Sequence, residues 1–303
     1  MYLISQYLKD TFGEKVRKIS LDAGFTCPNI DGTLSNKGCI YCNNKAFSLY
    51  TRERKDIKTQ IIESIGYYKK RGVNKFLAYF QAFSNTYGPL ERLKEAYDNI
   101  KGFKEIVGLV ISTRPDCVNE EKIRLIAEYK NDYLTWIEYG LQTTHNHTLK
   151  AINRNHTYED FLKALELTKE YQINVGVHII IGLLGEGYDE MMTSASRLSS
   201  LPIDGIKFHL LHILKDTELE TMYYQEKIRL LEMDEYVKII CDFLEKIPKN
   251  VVILRLISDA KPEYLIAPKW MNNKGVVISK INKELEKKWQ IKLKNQCNYL
   301  TFP

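Results

Sequence analysis

Three of the six cysteines stand close together near the N-terminus, in a pattern that suits a metal centre. This cysteine loop runs from Cys27 to Cys42 and reads Cys-Pro-Asn-Ile-Asp-Gly-Thr-Leu-Ser-Asn-Lys-Gly-Cys-Ile-Tyr-Cys, with Cys39 as its middle cysteine. Six cysteines in 303 residues are too few for a disulfide framework. Their clustering indicates instead that thiolates bind a metal.

Two kinds of centre fit this loop. Three thiolates can bind three irons of a four-iron, four-sulfur cluster and leave the fourth iron open to another ligand. The aromatic ring of Tyr41 would then shield one face of the cluster. A zinc ion would need a fourth protein ligand, for which His145, His147 or His178 are candidates. The cysteines alone leave both centres open.

The elements that must position this loop are strands and helices in regular alternation. Apolar segments predict strands over residues 15–21, 75–80, 106–112, 133–141, 174–181, 205–211 and 251–257. Segments that are apolar throughout are typical of parallel strands covered on both faces. We therefore expect an α/β fold, a partial (β/α)6 TIM-like barrel with parallel strands. The cysteine loop follows the first strand, so it belongs to the carboxyl edge of the sheet, where such folds carry their sites.

Composition limits the environment of the chain. It is 44% apolar, which predicts a globular protein, and no apolar run approaches the roughly 20 residues that span a bilayer. Residues 1–10 lack the pattern of a secretion signal. We expect a cytoplasmic protein with no membrane partner.

The positive charge is concentrated at the C-terminal end. Residues 261–303 hold nine lysines and three acidic residues, an excess of six that equals the net charge of the whole chain. We predict a core over residues 1–260 and a basic C-terminal extension over 261–303 that closes or flanks the mouth of the barrel. The extension suits contact with nucleic acid, and a solvated lysine-rich helix is the alternative.

Motifs along most of the chain, about residues 20–270, resemble the radical S-adenosylmethionine (SAM) superfamily. The resemblance is to its elongator-type branch, and within that to the bacterial YhcC/YtqA-type subgroup. Besides the cysteine loop, the motifs are Tyr79-Phe-Gln-Ala82, Ser112-Thr-Arg-Pro-Asp116, Glu138-Tyr-Gly-Leu-Gln142, Asn153-Arg-Asn-His156, His178-Ile-Ile-Ile-Gly182, Lys207-Phe-His-Leu-Leu-His-Ile-Leu-Lys215 and Arg255-Leu-Ile-Ser-Asp-Ala260.

The sequence departs from the superfamily pattern in two places. Eleven residues separate the first two cysteines where the superfamily usually has three, a lengthened loop typical of this branch. Gln81, Ala82 and Phe83 stand where the second strand usually ends in Gly-Gly-Glu. The second departure removes the acid that meets the methionyl ammonium, and we expect Gln81 at the strand end to serve in its place.

The resemblance implies two cofactors, a [4Fe-4S] cluster and SAM. Cys27, Cys39 and Cys42 would hold the cluster and take part in catalysis. SAM would chelate the open iron, and one electron, supplied by a donor such as flavodoxin or ferredoxin, would cleave its carbon–sulfur bond. The resulting deoxyadenosyl radical would abstract hydrogen from a substrate, while the protein binds, orients and excludes water.

The resemblance and the strand-end positions together imply two sets of binding residues. Arg114 would pair with the methionyl carboxylate in a forked geometry. Glu138 would accept hydrogen bonds from a ribose diol or an ammonium, and an internal salt bridge is its alternative. The cofactor set is Tyr41, Gln81, Ser112, Arg114, Glu138, Gln142, Arg154 and His178. The substrate set is His209, His212, Lys215, Arg255, Asp259 and Lys261.

The resemblance, with the basic extension, suggests transfer RNA as partner. The enzyme would trim the carboxymethylaminomethyl group of the wobble uridine to aminomethyl. Two other hypotheses stay open: a radical SAM enzyme acting on a small metabolite, and a non-catalytic RNA-binding protein with structural zinc.

Overall fold

The computed structural model describes residues 1–46, 55–258 and 260–299, apart from the side chains of residues 289 and 291–299. The strands are β1 Tyr2–Leu3, β2 Val16–Leu21, β3 Lys75–Phe80, β4 Ile106–Thr113, β5 Leu134–Gln142, β6 Asn174–Ile181, β7 Gly205–Leu210, β8 Ile213–Leu214, β9 Val252–Arg255 and β10 Leu265–Ala267. The helices are α1 Ile4–Phe12, α2 Ile57–Lys69, α3 Leu90–Asp98, α4 Glu120–Ala127, α5 Asn146–Ala151, α6 Tyr158–Glu170, α7 Tyr188–Ser199, α8 Glu218–Tyr224, α9 Met233–Lys246 and α10 Lys274–Tyr299.

Eight strands of the described chain form one parallel sheet that curls into a half-barrel, in the order β1-β9-β7-β6-β5-β4-β3-β2. Each of the seven predicted strands is present, and the predicted α/β partial barrel is confirmed. The eighth strand, β1, has only two residues, too few to give a hydrophobic pattern, and it extends the sheet beside β9. The neighbouring strands β2 to β7 follow one another in chain order because a helix returns the chain to the same edge each time.

Helices cover the outer face of the sheet and enclose the main apolar core. The amphipathic helix α6 contributes Phe161 and Leu165, and α9 contributes Tyr236 and Ile240. A capping box between Thr157 and Asp160 starts α6 immediately after a motif of the predicted site. No helix within the described ranges combines the length and the apolar character needed to cross a bilayer.

Helix α1 closes the amino end of the barrel from inside. Leu8 is 3% exposed and packs in an apolar cluster within the half-barrel. The ring of Tyr7 meets the ring of Trp136 on β5 edge to face, with centroids 5.7 Å apart. The cluster consists of Leu8, Val16, Leu77, Tyr79, Val110, Trp136, Val252 and Leu254. With α1 packed at this end, the interior of the half-barrel opens at the carboxyl ends of the strands.

The basic C-terminal helix α10 packs on α9 at the outside of the barrel. Val277 and Ile281 are fully buried and belong to the main core, so the predicted extension shares that core with the sheet. Lys280 forms an ion pair with Asp234 on α9. Lys288 pairs with Asp242 and with Glu245 on the same helix. Part of the positive charge that suggested nucleic-acid contact is therefore matched by acids of α9.

Replacing Leu8 by alanine should destabilise the fold by about 3 kcal/mol, because it leaves a cavity in the apolar cluster that closes the barrel. Leu3→Ala is the matched control, since Leu3 is 37% exposed. Denaturant unfolding of both variants gives the two free energies. Equal and small losses would contradict the role assigned to α1.

Candidate active site

A cavity opens at the carboxyl ends of the strands, with the cysteine loop as one wall. Residues of β3 to β7 and of β9 form the opposite wall and the floor. The cysteine loop follows β2, as predicted, and so faces the strand ends. The cavity brings together residues that lie up to 228 positions apart, from Cys27 to Arg255.

The three loop cysteines are free and line this cavity together. Cys27 and Cys39 are buried, and Cys42 is half-buried. Side-chain N–H groups point at two of the sulfurs. Asn29 Nδ2 lies 3.4 Å from Cys39 Sγ, and Asn44 Nδ2 lies 3.6 Å from Cys42 Sγ. Such donors stabilise sulfur atoms that carry negative charge.

Backbone hydrogen bonds hold the cysteine loop from both sides. The N–H of Ile40 donates to the carbonyl of Ile152 at the end of α5. The carbonyl of Ile40 accepts from the N–H of Leu219 at the start of α8. The Ile40 side chain joins an apolar cluster with Leu149, Ile152 and Ile213. Ile40, between Cys39 and Cys42, therefore anchors the part of the loop that carries two of the thiols.

The Asn153-Arg-Asn-His156 motif connects the same loop to the sheet. Asn153 and Asn155 have φ values of 53° and 54°, a left-handed conformation that asparagine tolerates well. Asn155 Nδ2 donates to Asn29 Oδ1 at 2.8 Å. The two left-handed residues turn the chain so that Arg154, between them, points into the cavity.

Arg154 is buried, and its guanidinium contacts three different parts of the site. Nη1 lies 3.6 Å from Cys39 Sγ, Nη2 donates to the Gly140 carbonyl at 2.7 Å, and Nε donates to His156 Nε2 at 3.0 Å. A Cβ at Gly140 would lie 2.8 Å from Arg154 Nη2, so glycine gives the guanidinium its room. Burial, with the charge of Arg154, lowers the pKa of His156 well below its usual value and keeps that ring a neutral acceptor.

Beneath the cavity lies a charged layer centred on Glu138 of β5, which is 0% exposed. Its Oε1 pairs with Lys18 of β2. Its Oε2 accepts from His178 Nε2 at 2.7 Å, from Tyr79 Oη at 3.0 Å and from Lys207 Nζ at 3.0 Å. Four donors occupy the carboxylate, and Glu138 itself does not line the cavity. Its predicted contact with SAM is therefore replaced by the alternative, an internal ion-pair network.

Protonation in this layer follows from the charge balance around Glu138. Burial alone would raise the pKa of Glu138, but Lys18 and Lys207 hold it well below its usual value. Burial lowers the pKa of Lys207 to about 7. The charges of Arg255 and Lys18 add to this shift, and the charge of Glu138 opposes it. Burial and Lys207 lower the pKa of His178 to about 3, so His178 is a neutral donor. The carboxylate stays charged, and Lys207 holds the proton that is most easily lost.

Arg114 at the end of β4 is 2% exposed and lines the cavity. Two of its three guanidinium nitrogens already have a protein partner. Nε and Nη2 donate to the two carboxylate oxygens of Asp116 at 2.8 and 2.7 Å. Nη1 is buried and has no hydrogen-bond partner in the described part of the protein. The predicted forked pair with a ligand carboxylate is thus made with Asp116, and one N–H edge is left for a ligand.

The other predicted residues divide into those that reach the cavity and those that do not. Lys215 is exposed and Lys261 is half-buried, and neither lines the cavity. Asp259 lies outside the described residues. Those that line the cavity are Tyr41, Gln81, Ser112, Gln142, His178, His209, His212 and Arg255.

Sequence reasoning missed three residues that shape the floor: Lys18, Tyr79 and Lys207. Lys207 stands two positions before His209 on one strand, so both side chains face the same side of the sheet. The alternation of side chains along this strand could therefore have identified Lys207 as a residue on the cavity side. Lys18 stands on the same side of its strand as Val16 and Ser20, and a cation on the inner side of a covered sheet needs an acid, which was the available signal.

Comparison with known proteins decides the family. The family model of the radical SAM superfamily matches residues 32–198, and that of the radical SAM C-terminal domain matches residues 203–287. The chain belongs to the radical SAM superfamily. Members of this superfamily bind a [4Fe-4S] cluster and SAM, so the predicted cofactors are those of its family.

Curated relatives match nearly the whole radical SAM chain. YtqA of Bacillus subtilis is 38% identical over 294 residues, covering 94% of this chain and 89% of its own length. MJ0486 of Methanocaldococcus jannaschii is 38% identical over 295 residues, covering 95% of this chain and 90% of its own. YhcC of Escherichia coli is 32% identical over 275 residues, with 90% and 88% covered. The resemblance to this subgroup is confirmed.

Among solved structures, Elp3 of Methanocaldococcus infernus, without its first 46 residues, superposes with a TM-score of 0.68 at 19% identity. The match covers 89% of this chain and 63% of that one. This likeness concerns the fold alone and confirms the half-barrel.

The residues present fit an iron–sulfur cluster. Three free thiols share one wall, and Asn29, Asn44 and Arg154 direct N–H groups at two of the sulfurs. Burial and the neighbouring Cys39 and Cys27 raise the pKa of the Cys42 thiol to about 12, so a thiolate there needs a cation. Within the described ranges, no set of three or more His, Cys, Asp or Glu side chains is placed to hold a single metal ion. Of the three histidines named for zinc, His178 lines the cavity, and its Nε2 is bonded to Glu138.

Replacing any of Cys27, Cys39 or Cys42 by serine should remove the iron and the visible absorbance of the anaerobically reconstituted protein, because a hard hydroxyl is a poor iron–sulfur ligand. Cys117→Ser is the matched control: Cys117 is equally buried and free but does not line the cavity. Iron and sulfide analysis of the four variants gives the result. Full iron in a loop variant would contradict the assignment.

Replacing Glu138 by glutamine should cost about 3–5 kcal/mol of folding free energy at pH 7, since the buried Lys207 and the half-buried Lys18 lose their counter-ion. The Glu138 pKa is lowered in the folded state, so its stabilisation is present above the unfolded value of 4.5 and is lost as the pH falls below it. The difference between wild type and variant should therefore shrink in acid.

Denaturant unfolding of the metal-free protein between pH 7 and pH 3 measures this difference. Glu63→Gln is the control, because Glu63 pairs with Lys55 at the surface and should change stability by no more than about 0.5 kcal/mol. A difference that stays constant with pH would show that the carboxylate charge does not hold the layer together.

Proposed function

We propose that this radical SAM protein is an enzyme that modifies the wobble uridine of tRNA, converting its carboxymethylaminomethyl side chain to aminomethyl. The observation that carries the proposal is the pairing, across one cavity, of a wall of three thiols with a floor rich in cations. The first suits radical chemistry at a cluster, and the second suits a substrate that carries a carboxylate.

Partial matches support the choice of substrate. The tRNA uridine(34) acetyltransferase of Methanocaldococcus jannaschii is 27% identical over 177 residues, covering 57% of this chain and 32% of its own length. The enzyme of the same name from Dehalococcoides mccartyi is 25% identical over 183 residues, covering 59% and 39%. These proteins are named for the same nucleotide that we propose here.

When bound, the cluster and SAM would supply a deoxyadenosyl radical and an acceptor for the electron that the substrate radical releases. The chain's own residues hold the reactants. Cys27, Cys39 and Cys42 bind the metal, and Arg154 donates to the sulfur of Cys39. The free Nη1 of Arg114 can bind one carboxylate oxygen of the methionyl group. Gln81, Ser112, Gln142 and Tyr41 lie around the remaining space, where the nucleoside part of SAM would fit.

The atoms balance in the proposed reaction. Hydrogen abstraction from the methylene beside the carboxylate, followed by loss of one electron and one proton, gives an imine. Water adds to the imine and releases the two-carbon acid glyoxylate, and the uridine keeps an aminomethyl group. A cation at the far wall, such as Arg255, would hold the carboxylate so that its methylene faces the cysteine wall.

We propose a cytoplasmic location with this role, where tRNA meets an electron donor of the flavodoxin or ferredoxin class. The basic residues of the C-terminal helix that pair with α9 are less available to RNA than the sequence suggests. Lys215 is exposed, and its carbonyl accepts from Asn43 next to Cys42, so its side chain is a candidate for phosphate contact.

Deleting the gene should abolish aminomethyl-type wobble uridines and accumulate the carboxymethylaminomethyl form, measured by mass spectrometry of tRNA nucleosides. A plasmid encoding the wild type or Cys117→Ser should restore the product, and one encoding Cys39→Ser should not. Unchanged wobble uridines in the deletion strain would eliminate this substrate.

Anaerobic reconstitution with SAM and a reductant separates the alternatives. Deoxyadenosine with unchanged tRNA would favour a small metabolite as substrate. A colourless protein with bound zinc would favour the non-catalytic RNA-binding protein, whose affinity for RNA should fall steeply with added salt.

A further inference from the structure

The floor of the cavity contains more positive than negative charge. Within the part of the chain that the structure describes, Glu138 is the one carboxylate bonded in the charged layer, and Lys18 and Lys207 share it. Arg255 on β9 lies in register with Lys207 on β7, and both line the cavity. One acid therefore faces three cations. Excess positive charge in a buried site has a low free-energy cost only when an anion binds there.

Lys207 has one N–H to spare when it is charged. Its Nζ donates to Tyr79 Oη at 2.7 Å and to Glu138 Oε2 at 3.0 Å, which uses two of the three hydrogens of an ammonium. The side chain is only 4% exposed but borders the cavity. The hydrogen bonds to Tyr79 and Glu138 fix the position of the Lys207 amine. They therefore also fix the direction of its third N–H.

A ring nitrogen beside Lys207 is also placed to bond a ligand, and it is a donor in the Nε2–H tautomer. His209 Nε2 is buried without a hydrogen-bond partner in the described part of the protein. His209 stands two residues after Lys207 and lines the same cavity. Its ring lies 5.3 Å from that of His178, which is itself bonded to Glu138. Lys207, His209 and Arg255 thus bring side-chain nitrogens to one end of the cavity.

We propose that Lys207, His209 and Arg255 form a subsite for a carboxylate of the substrate, and that binding of this carboxylate fixes the proton on Lys207. The subsite deepens the proposed function, on which it relies only for the identity of the carboxylate-bearing group. The carboxylate would reduce the charge imbalance of the floor, with two acids then against three cations. Lys207 has no role in the predictions made from sequence.

Protonation and binding are linked at this subsite. The pKa of Lys207 is lowered to about 7 without an anion, and a carboxylate beside the amine favours its charged form. Near pH 8 binding should therefore take up a proton. Above about pH 7 the affinity should fall by up to tenfold per pH unit, since the charged fraction of Lys207 falls at that rate. The titratable and charged groups that face Lys207 are Lys18, Tyr79, Glu138, His178, His209 and Arg255.

The experiment is titration calorimetry of the anaerobic, cluster-loaded protein with SAM, in buffers of different ionisation enthalpy between pH 6.5 and 8.5. The probe is N-benzylglycine, a secondary amine with a carboxymethyl group. N-methylbenzylamine, which lacks the carboxylate, is the matched probe. We expect saturable binding of the first with uptake of up to one proton, and no competition from the second.

Three variants test the residue assignment. Lys207→Met should weaken binding by at least about tenfold and abolish proton uptake. Lys207→Arg should keep affinity but take up no proton, because arginine does not deprotonate. Arg255→Met should weaken binding and move the proton uptake to higher pH, because Arg255 lowers the pKa of Lys207. Lys94→Met, at the surface of α3 in a pair with Asp98, should behave as wild type. Circular dichroism checks that each variant is folded.

Proton uptake that persists in Lys207→Arg would place the titrating group on a histidine and overturn the proposal. Equal affinity for the two probes, or no saturable binding of N-benzylglycine, would also overturn it. If the carboxylate binds with proton uptake while tRNA of the deletion strain is unchanged, the subsite stands and the tRNA substrate fails. If the wobble uridine changes but the probe does not bind, the tRNA function stands and the subsite fails.

Discussion

The rest of this structure depends on one buried carboxylate. Glu138 is fully enclosed and bonds to side chains from β2, β3, β6 and β7, so five strands meet at one group. An ionised carboxylate in such a place is stable only while its donors stay within bonding distance. The curvature that brings β2 and β7 to the same point is therefore tied to the charge balance of the interior, as well as to the helices that cover the outside.

This layer divides the half-barrel into two compartments with different chemistry. Below it, α1 and the first residues of the strands pack as an apolar cluster around Trp136. Above it, the cavity is bordered by polar groups, and the thiols face the cations across that space. Glycine at positions 176 and 205 makes room for the transition, because a Cβ there would lie 2.8–3.0 Å from Leu254, with Glu138 or Trp136 as close. The two compartments explain why a polar site can exist inside an otherwise apolar barrel.

Sequence predicted the elements better than it predicted the bonds between them. The segment 174–181 coincides with β6, since an apolar run bounded by polar residues can form little else in an alternating α/β chain. The cysteine wall followed from spacing within 16 residues. The pairing of Glu138 with Lys18 could not be predicted from local spacing, because the two residues are 120 positions apart and only the strand order of the sheet brings them together. Arg114 shows the same limit: its position at the mouth was predictable, but its pairing with Asp116 depends on a local turn.

Arg154 shows how the two walls are kept at a fixed distance. Its planar guanidinium reaches a loop sulfur, the carbonyl of Gly140 at the end of β5 and the ring of His156 before α6. Lysine has the charge but not the fixed fork that serves three directions at once. Because Gly140 lies two residues after Glu138 on the same strand, the guanidinium connects the cysteine wall to the strand that carries the charged layer. Movement of the loop sulfur relative to the floor would have to break one of these bonds, so the distance between the metal ligands and the cations is set by protein contacts alone.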